Sequence, residues 1–193
     1  MKLLDTSGGN TKLAKNNKDV TLRVAGCSLM PDKKVCPMQI IADCWGPCLQ
    51  AAGRGGFDGV KAARQARTDW YHSDRQSFPE IKFYDYTKVA KRLTKMPRNY
   101  KLMFSYSKAP KYQGEVQKAL LTDVPMSVVF YGPFPTTFMG KEVVDGDKSD
   151  ILNLDARGKI VALKYKVAKG KGIDPADHMF VVNTHMIPTV QVA

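Results

Sequence analysis

Short apolar runs separated by polar turns fill the middle of the chain, with lengths that suit strands alternating with helices. Runs at residues 81–86, 100–107 and 126–131 predict three strands. The intervening residues 87–95 and 112–122 are predicted to form short helices. Strand, helix, strand, helix, strand with short connections predicts βαβ units and a parallel sheet.

The last third of the chain has a different pattern. Two apolar segments, residues 151–155 and 159–166, flank Ala156-Arg157-Gly158, which is typical of a hairpin turn. A final strand is predicted at residues 179–183. We therefore expect antiparallel strands to finish the sheet.

The first third is polar at its start and then becomes rich in cysteine and glycine. Residues 21–25 predict a short strand, and residues 60–71 predict a helix. The chain has 193 residues, of which 44% are hydrophobic, so it can bury one core and is expected to be a single domain. Its predicted parts are a polar arm (1–20), a cysteine-cluster segment (21–59), a helix with βαβ units (60–135), and a hairpin with a terminal strand (136–193).

Together these patterns predict an α/β fold. It would contain a small mixed sheet built from βαβ units and partly barrel-like, with a C-terminal antiparallel hairpin. An N-terminal cysteine-rich loop segment would precede the sheet.

All four cysteines, Cys27, Cys36, Cys44 and Cys48, lie in that loop segment. Four thiolates in one short segment can converge on Zn²⁺ or on an iron–sulfur cluster. Disulfides are an alternative, but the chain begins without the apolar core of a signal peptide, and bridges are favoured in secreted chains. Zinc sites usually present two close pairs, whereas only Cys44 and Cys48 are close here. An iron–sulfur cluster tolerates irregular spacing and is the preferred interpretation, with zinc, disulfides and unliganded thiols left open.

The chain is strongly basic, with 30 Lys and Arg against 18 Asp and Glu and a formal charge of +12. This charge favours a nucleic acid or another polyanion as partner. Lys61, Arg64 and Arg67 recur every three residues on the predicted helix, and Arg54 in the glycine-rich turn before it could extend this basic edge to phosphates. A solvated helix face explains the same spacing. Apolar runs are too short to cross a membrane, so no membrane partner is expected.

Polar residues after the first predicted strand form a candidate pocket. In parallel sheets functional groups gather at the carboxyl ends of strands, which singles out Asp85, Tyr86 and Lys88. Strands commonly end in polar residues, so this placement has an ordinary explanation too. The sequence contains no Walker loop, G-x-S-x-G or H-E-x-x-H motif, which favours a protein that is not an enzyme.

Several motifs are similar to those of one protein family: KLLDT, CLQAAGRG, ARQARTD, FYDYTK, NYKLMFSYS and VVDGDKSD. The combination resembles a family of uncharacterised tailed-bacteriophage proteins, from about Lys2 to Val182. The resemblance implies a viral protein that acts in the host cytoplasm. Family members carry a further segment where Ser77-Phe78 runs directly into Pro79 here, so this chain looks like a shortened member.

The cysteine cluster ahead of a βα array is also distantly similar to radical-SAM-like barrel proteins. The Cys-x3-Cys-x2-Cys pattern of those enzymes is lacking, however. Four cysteine ligands would close the cluster and leave it a structural or electron-transfer role, which is the function that we expect. A structural zinc site in a basic nucleic-acid-binding phage protein is one alternative, and a radical-SAM-like enzyme with an open iron is another. The sequence leaves open whether copies of the chain associate.

Overall fold

In a computed structural model of the chain, seven strands among the described residues form one sheet. Two α-helices are described, α1 (Asp58–Ser73) and α2 (Gln113–Leu120). The strands are β1 (Phe83–Thr87), β2 (Tyr100–Ser105), β3 (Met126–Tyr131), β4 (Thr137–Phe138), β5 (Lys141–Asp145), β6 (Ile160–Lys164) and β7 (Val181–Asn183). The structure describes residues 4, 13–14, 17–18, 24–48, 53–73, 81–149, 155–166 and 174–185.

The sheet is mostly parallel and open. Its order is β1-β2-β3-β6-β5-β4, and every neighbouring pair is parallel except β4 with β5. This confirms the predicted α/β class, the three strands of the βαβ units and the helix between β2 and β3. The segment between β1 and β2 forms only a short 3-10 helix, Ala90–Thr94, whose buried residues Ala90 and Leu93 are three apart and so share one face.

Strand β3 has two different neighbours along a single edge. Its first half pairs with β2, through Phe104 and Met126, and its second half pairs with β7, through Val129 and Val181. Strand β2 therefore leaves the sheet where β7 enters it. We call this place the β2/β7 split.

The antiparallel hairpin lies elsewhere than predicted. Strand β6 is parallel to β3 on one side and to β5 on the other, and Ile160 has partners on both sides, so an antiparallel neighbour has no free edge there. The predicted turn at residues 156–158 instead contacts the loop before β3, because the Gly158 amide donates to the Asp123 carbonyl at 2.8 Å. The observed hairpin joins β4 and β5, and β7 is also parallel, not antiparallel. Most of the first strand of the predicted hairpin, residues 151–154, lies outside the described residues.

The beginning of the chain is described only in part. Most of the predicted polar arm, and residues 21–23 of the first predicted strand, lie outside the described residues. Val24 and Ala25 are not in a strand, and Gly26 forms a single bridge.

The main core lies between the sheet and α2 with its neighbouring 3-10 helices. Phe104, Val128, Phe130 and Ile160 from the sheet are almost completely buried, and Tyr112 stacks on Phe104 with ring centroids 5.8 Å apart. Burial of each such side chain contributes about 1.5–3 kcal/mol. Ala42 of the cysteine segment belongs to the same core cluster. The sheet therefore provides the surface on which the cysteine segment packs. No helix among the described residues is long and apolar enough to span a membrane.

Candidate functional site

The cysteine segment is a series of turns. The side chain of Asp32 accepts hydrogen bonds from the amides of Lys34 and Val35, and its carbonyl accepts one from the Cys36 amide at 2.7 Å. The Cys44 amide then donates to the Gln39 carbonyl at 3.1 Å. These bonds turn the chain between Cys36 and Cys44. A regular strand or helix of the same length would hold the two cysteines apart.

The segment is attached to the sheet at the β2/β7 split. The Ser107 hydroxyl is fully buried and lies 2.6 Å from the Ala42 carbonyl oxygen and 3.2 Å from that of Met179. The carboxylate of Asp43 accepts a 2.9 Å hydrogen bond from the Met179 amide. Gly46 packs against the His178 ring so closely that a Cβ there would lie 2.9 Å from the ring carbon Cε1. The end of β2 and the residues before β7 therefore position the cysteines.

Three of the thiols share one neighbourhood. Burial, with smaller contributions from the nearby Cys48 and Cys44, raises the pKa of Cys36 to about 11. Burial also raises the pKa of Cys44, while the Lys88 cation opposes that effect. Cys27 is exposed, and its pKa is raised by burial and lowered by Arg67 on α1. The structure thus groups Cys36, Cys44 and Cys48 electrostatically and places Cys27 beside α1. All four are free thiols.

Lys88 lies directly after β1 and points to the same neighbourhood. Its Nζ donates to the hydroxyl and the carbonyl of Ser105, at 3.0 and 3.3 Å, and lies 4.3 Å from the centre of the Phe180 ring. Burial lowers the pKa of Lys88 to about 8, a shift that negative charge on Cys44, Cys36 and Cys48 opposes. Lys88 therefore stays largely protonated at neutral pH and places a positive charge beside the thiols.

The other two residues of the predicted pocket are more exposed. The Asp85 carboxylate accepts hydrogen bonds from the Tyr86 amide at 2.7 Å and from the Tyr100 hydroxyl at 3.2 Å. Burial raises the pKa of Asp85, and its charge in turn adds to the raised pKa of Cys36. Tyr86 is 38% exposed. Lys88, and to a lesser degree Asp85, are the members of the predicted pocket that act on the thiols.

The predicted basic edge of α1 is divided among several contacts. Lys61 pairs with Asp58 at 3.4 Å on the helix surface, and Arg67 donates to the Ser28 carbonyl at 3.5 Å. Arg64 lines a cavity of about 230 Å³ together with Cys36, Cys48 and apolar side chains that include Leu29 and Val35. Arg54 belongs to the 3-10 helix Gly53–Gly56, and its side chain lies outside the described residues. Arg64 and Arg67 therefore contact the cysteine segment.

Several residues that hold the site were not apparent in the sequence. Thr68 is buried, and its hydroxyl accepts a 2.8 Å hydrogen bond from the Met30 amide, which holds α1 against the cysteine segment. The buried Tyr112 hydroxyl donates to the carbonyls of Lys88 and Ser105, both at 3.0 Å. Phe180 covers the Lys88 cation. Each acts across a large separation in sequence, so spacing alone contained no signal for it.

The donor chemistry suits a soft metal, but the side chains do not yet converge. Thiolates are the ligands preferred by zinc and iron–sulfur clusters. Within the described part of the chain, however, no three Cys, His, Asp or Glu side chains stand in an arrangement that could hold a metal ion. Within this segment, the buried Gln39 Oε1 atom lacks a hydrogen-bond partner among the described residues. A metal would have to draw the thiols closer together.

The fold and the site define a basic α/β protein in which a cysteine-rich segment is docked on a split parallel sheet. The family described as Gene product 88 matches residues 1–78 and 75–176, and the chain belongs to this family. No curated protein and no solved structure matches the chain. Family membership supports the expectation of a bacteriophage protein. The two matched stretches overlap at residues 75–78, where the resemblance also implies a missing segment, and the shortening stays a prediction.

Proposed function

We propose that this protein binds an iron–sulfur cluster through Cys36, Cys44 and Cys48, with a structural or electron-transfer role in which a ligand other than cysteine closes the remaining iron position. The observation that supports the proposal is that Cys36 and Cys48 line one cavity, while Cys44 and the partly buried Lys88 interact electrostatically with them. Cys27 belongs to the exposed surface near α1, so we assign it no ligand role.

The charges around the thiols support this proposal. A thiolate-ligated cluster carries negative charge, and nearby cations and hydrogen-bond donors stabilise it and adjust its potential. Lys88 supplies one partly buried cation, and Arg64 lines the cavity that Cys36 and Cys48 share. The turn-rich segment can close around a metal because binding and local folding are coupled in such sites.

Cysteine substitution combined with metal analysis tests the assignment. Protein purified and reconstituted without oxygen is analysed for iron, sulfide and zinc, in the wild type and in single Cys→Ser variants. We expect Cys36→Ser, Cys44→Ser and Cys48→Ser each to lose most of the iron and the visible absorption. Cys27→Ser is the matched control and should keep both.

Two results would overturn the proposal. Zinc alone at one per chain would indicate the structural zinc site of a basic nucleic-acid-binding protein. Loss of iron in Cys27→Ser, equal to the loss in the other variants, would indicate a cluster closed by four cysteines.

A second candidate function is catalysis at an open iron. It is favoured by the cavity of about 230 Å³ that Cys36, Cys48 and Arg64 line, because three cysteine ligands would leave one iron without a protein thiol. Calorimetric measurement of S-adenosylmethionine binding to the reconstituted protein tests this function. The absence of binding would rule out the enzymatic function and leave the cluster assignment intact.

A further inference from the structure

Three aromatic rings meet at the carboxyl ends of β3, β6 and β7, at the opposite end of β7 from the thiols. The Tyr131 ring packs edge to face against Tyr165, with centroids 6.3 Å apart, and against His185, with centroids 4.9 Å apart. Because β7 has three residues, this aromatic cluster lies roughly 10 Å along the sheet from the β2/β7 split. It is therefore a separate surface.

The cluster is held in place by the backbone. The Thr184 amide donates to the Tyr131 carbonyl at 2.9 Å, and the Thr184 hydroxyl donates to the Pro133 carbonyl at 2.7 Å. Gly132 has a φ of +116°, and a Cβ there would lie 2.5 Å from the Thr184 hydroxyl oxygen. Glycine at this position thus permits the close approach that brings His185 against Tyr131. The rings are positioned before any ligand arrives.

The cluster is exposed, and two lysines flank Tyr165 along the chain. Tyr131 is 38% exposed, and His185, Lys164 and Lys166 are exposed as well. Asp147 offsets part of the local charge, because its carboxylate lies 4.0 Å from the Lys166 Nζ and accepts the Lys164 amide at 2.8 Å. The whole chain carries +12, so a polyanion is drawn to the protein while the cluster itself offers mainly ring surface.

We propose that this aromatic cluster binds single-stranded nucleic acid by stacking unpaired bases on Tyr131 and its neighbours. Every base has a flat π face, so aromatic side chains bind single strands with little regard to sequence, and the positive charge of the chain attracts the phosphates. Bases in a duplex are already stacked and cannot reach the rings. The basic edge of α1 is a weaker candidate, because Arg64 and Arg67 contact the cysteine segment.

Fluorescence anisotropy with matched oligonucleotides tests the proposal. Strands of about 12 nucleotides are compared at low salt: oligo(dT), oligo(U), and an abasic strand that keeps the phosphates but has no bases. We expect the wild type to bind the strands with bases at least about 10-fold more tightly than the abasic strand. The first two strands separate DNA from RNA.

Substitution of the central ring locates the site. Tyr131→Leu keeps an apolar contact with Tyr165 and His185, and it should weaken binding of the preferred strand by about 5- to 100-fold while leaving abasic binding unchanged. Tyr131→Phe should bind as the wild type does. Phe83→Leu is the matched control, since Phe83 is 37% exposed on the far edge strand β1. Thermal unfolding of each variant checks that the fold is retained.

The proposal is overturned if the wild type binds the abasic strand as tightly as the others. It is also overturned if Tyr131→Leu, folded by the thermal assay, behaves like Phe83→Leu. His185→Ala gives a second measurement, with a smaller loss expected in the same direction.

Discussion

Lys88 shows how a single residue connects the fold with the thiols. Its backbone carbonyl accepts the buried Tyr112 hydroxyl, and its side chain crosses to Ser105 at the end of the next strand. Burial disfavours the ammonium charge, while the Ser105 oxygens and the thiolates favour it. The cation is therefore held at a cost in folding free energy, beside the groups whose charge it can balance.

The pKa of Lys88 leads to a pH-dependent stability. In the folded protein Lys88 loses its proton near pH 8, whereas in the unfolded chain it keeps the proton up to about 10.5. Between these values Lys88 binds more protons in the unfolded state, so its contribution to the free energy of unfolding should rise with pH. Relative to Lys88→Met, which lacks this ionisation, metal-free wild type should gain on the order of 1–3 kcal/mol from pH 8 to about pH 10.

Urea unfolding at several pH values measures this difference. The exposed Lys91→Met is the control and should show the same pH profile as the wild type. A difference between wild type and Lys88→Met that does not change with pH would contradict the prediction.

The thiols should differ in reactivity in the metal-free protein. The thiolate is the reactive form, and the pKa of Cys36 is raised to about 11, so iodoacetamide should modify Cys36 slowly at neutral pH. Its rate should climb about tenfold per pH unit until it approaches that value. Cys27, which is exposed, should react faster than Cys36 at neutral pH. Mass spectrometry of the labelled peptides follows each site, and a Cys36 rate that levels off below pH 9 would be inconsistent with this burial.

At the scale of elements, the β2/β7 split is the feature on which the site depends. Strand β2 ends at Ser105, and the following residues turn out of the sheet toward the cysteine segment, while β7 continues the pairing with β3. Because the chain leaves the sheet here, polar groups of Ser107 and of the residues before β7 are available to the cysteine segment. The Ser107 hydroxyl donates to the Ala42 carbonyl, and the Met179 amide donates to the Asp43 carboxylate.

Removal of the Ser107 hydroxyl should weaken this attachment. Ser107→Ala leaves the Ala42 carbonyl and the Ala109 amide without a bond in a buried site, which should reduce the free energy of unfolding by about 1–3 kcal/mol. Ser127→Ala is the comparison, because the buried Ser127 hydroxyl makes a longer, 3.4 Å contact with the Phe104 carbonyl. Equal losses in urea unfolding would show that Ser107 has no special role.

The junction of β3 and β7 requires glycine at position 132. Gly132→Ala places a Cβ against Thr184 at a positive φ, so we expect a loss of at least about 2 kcal/mol. Gly114→Ala, on α2 with open space around it, should be neutral or stabilising by up to about 1 kcal/mol. Thermal unfolding compares the two, and similar melting temperatures would contradict the close approach at Gly132.

At the scale of the whole molecule, the sheet core and the cysteine segment have different sources of stability. Strands β3 and β6 bury Val128, Phe130 and Ile160 almost completely. The cysteine segment contributes Ala42 to this core and otherwise relies on turns and a few anchoring bonds. The segment can therefore loosen without unfolding the sheet.

Hydrogen exchange should separate these two parts. If the proposed cluster is bound, its removal from the reconstituted protein should make amides in residues 27–48 exchange faster, while those of β3 and β6 stay protected. Mass spectrometry before and after chelation gives the comparison, and Cys36→Ser should resemble the chelated wild type. Uniform loss of protection throughout the sheet would show that metal and core form one cooperative unit.

Local patterns predicted the elements better than their partners. Strands β1, β2 and β3 and helix α2 follow from apolar runs of suitable length, and the candidate thiols and Lys88 follow from residue type and position. The hairpin at residues 156–158 was misplaced because a glycine turn between apolar segments is equally compatible with a turn that packs on a neighbouring loop. Which strand lies beside β6 depends on residues far away in sequence.

The amino-acid sequence by itself determined the α/β class, the strands of the βαβ units, the basic charge and the segment that contains every thiol, because these depend on composition and on periods of a few residues. The tertiary structure decided that β6 and β7 run parallel to β3, that β2 separates from β3 at Ser105, and that the charge of Lys88 is felt by three of the four cysteines. These features depend on contacts between residues widely separated in sequence, where burial and backbone pairing select one partner among many that local patterns allow.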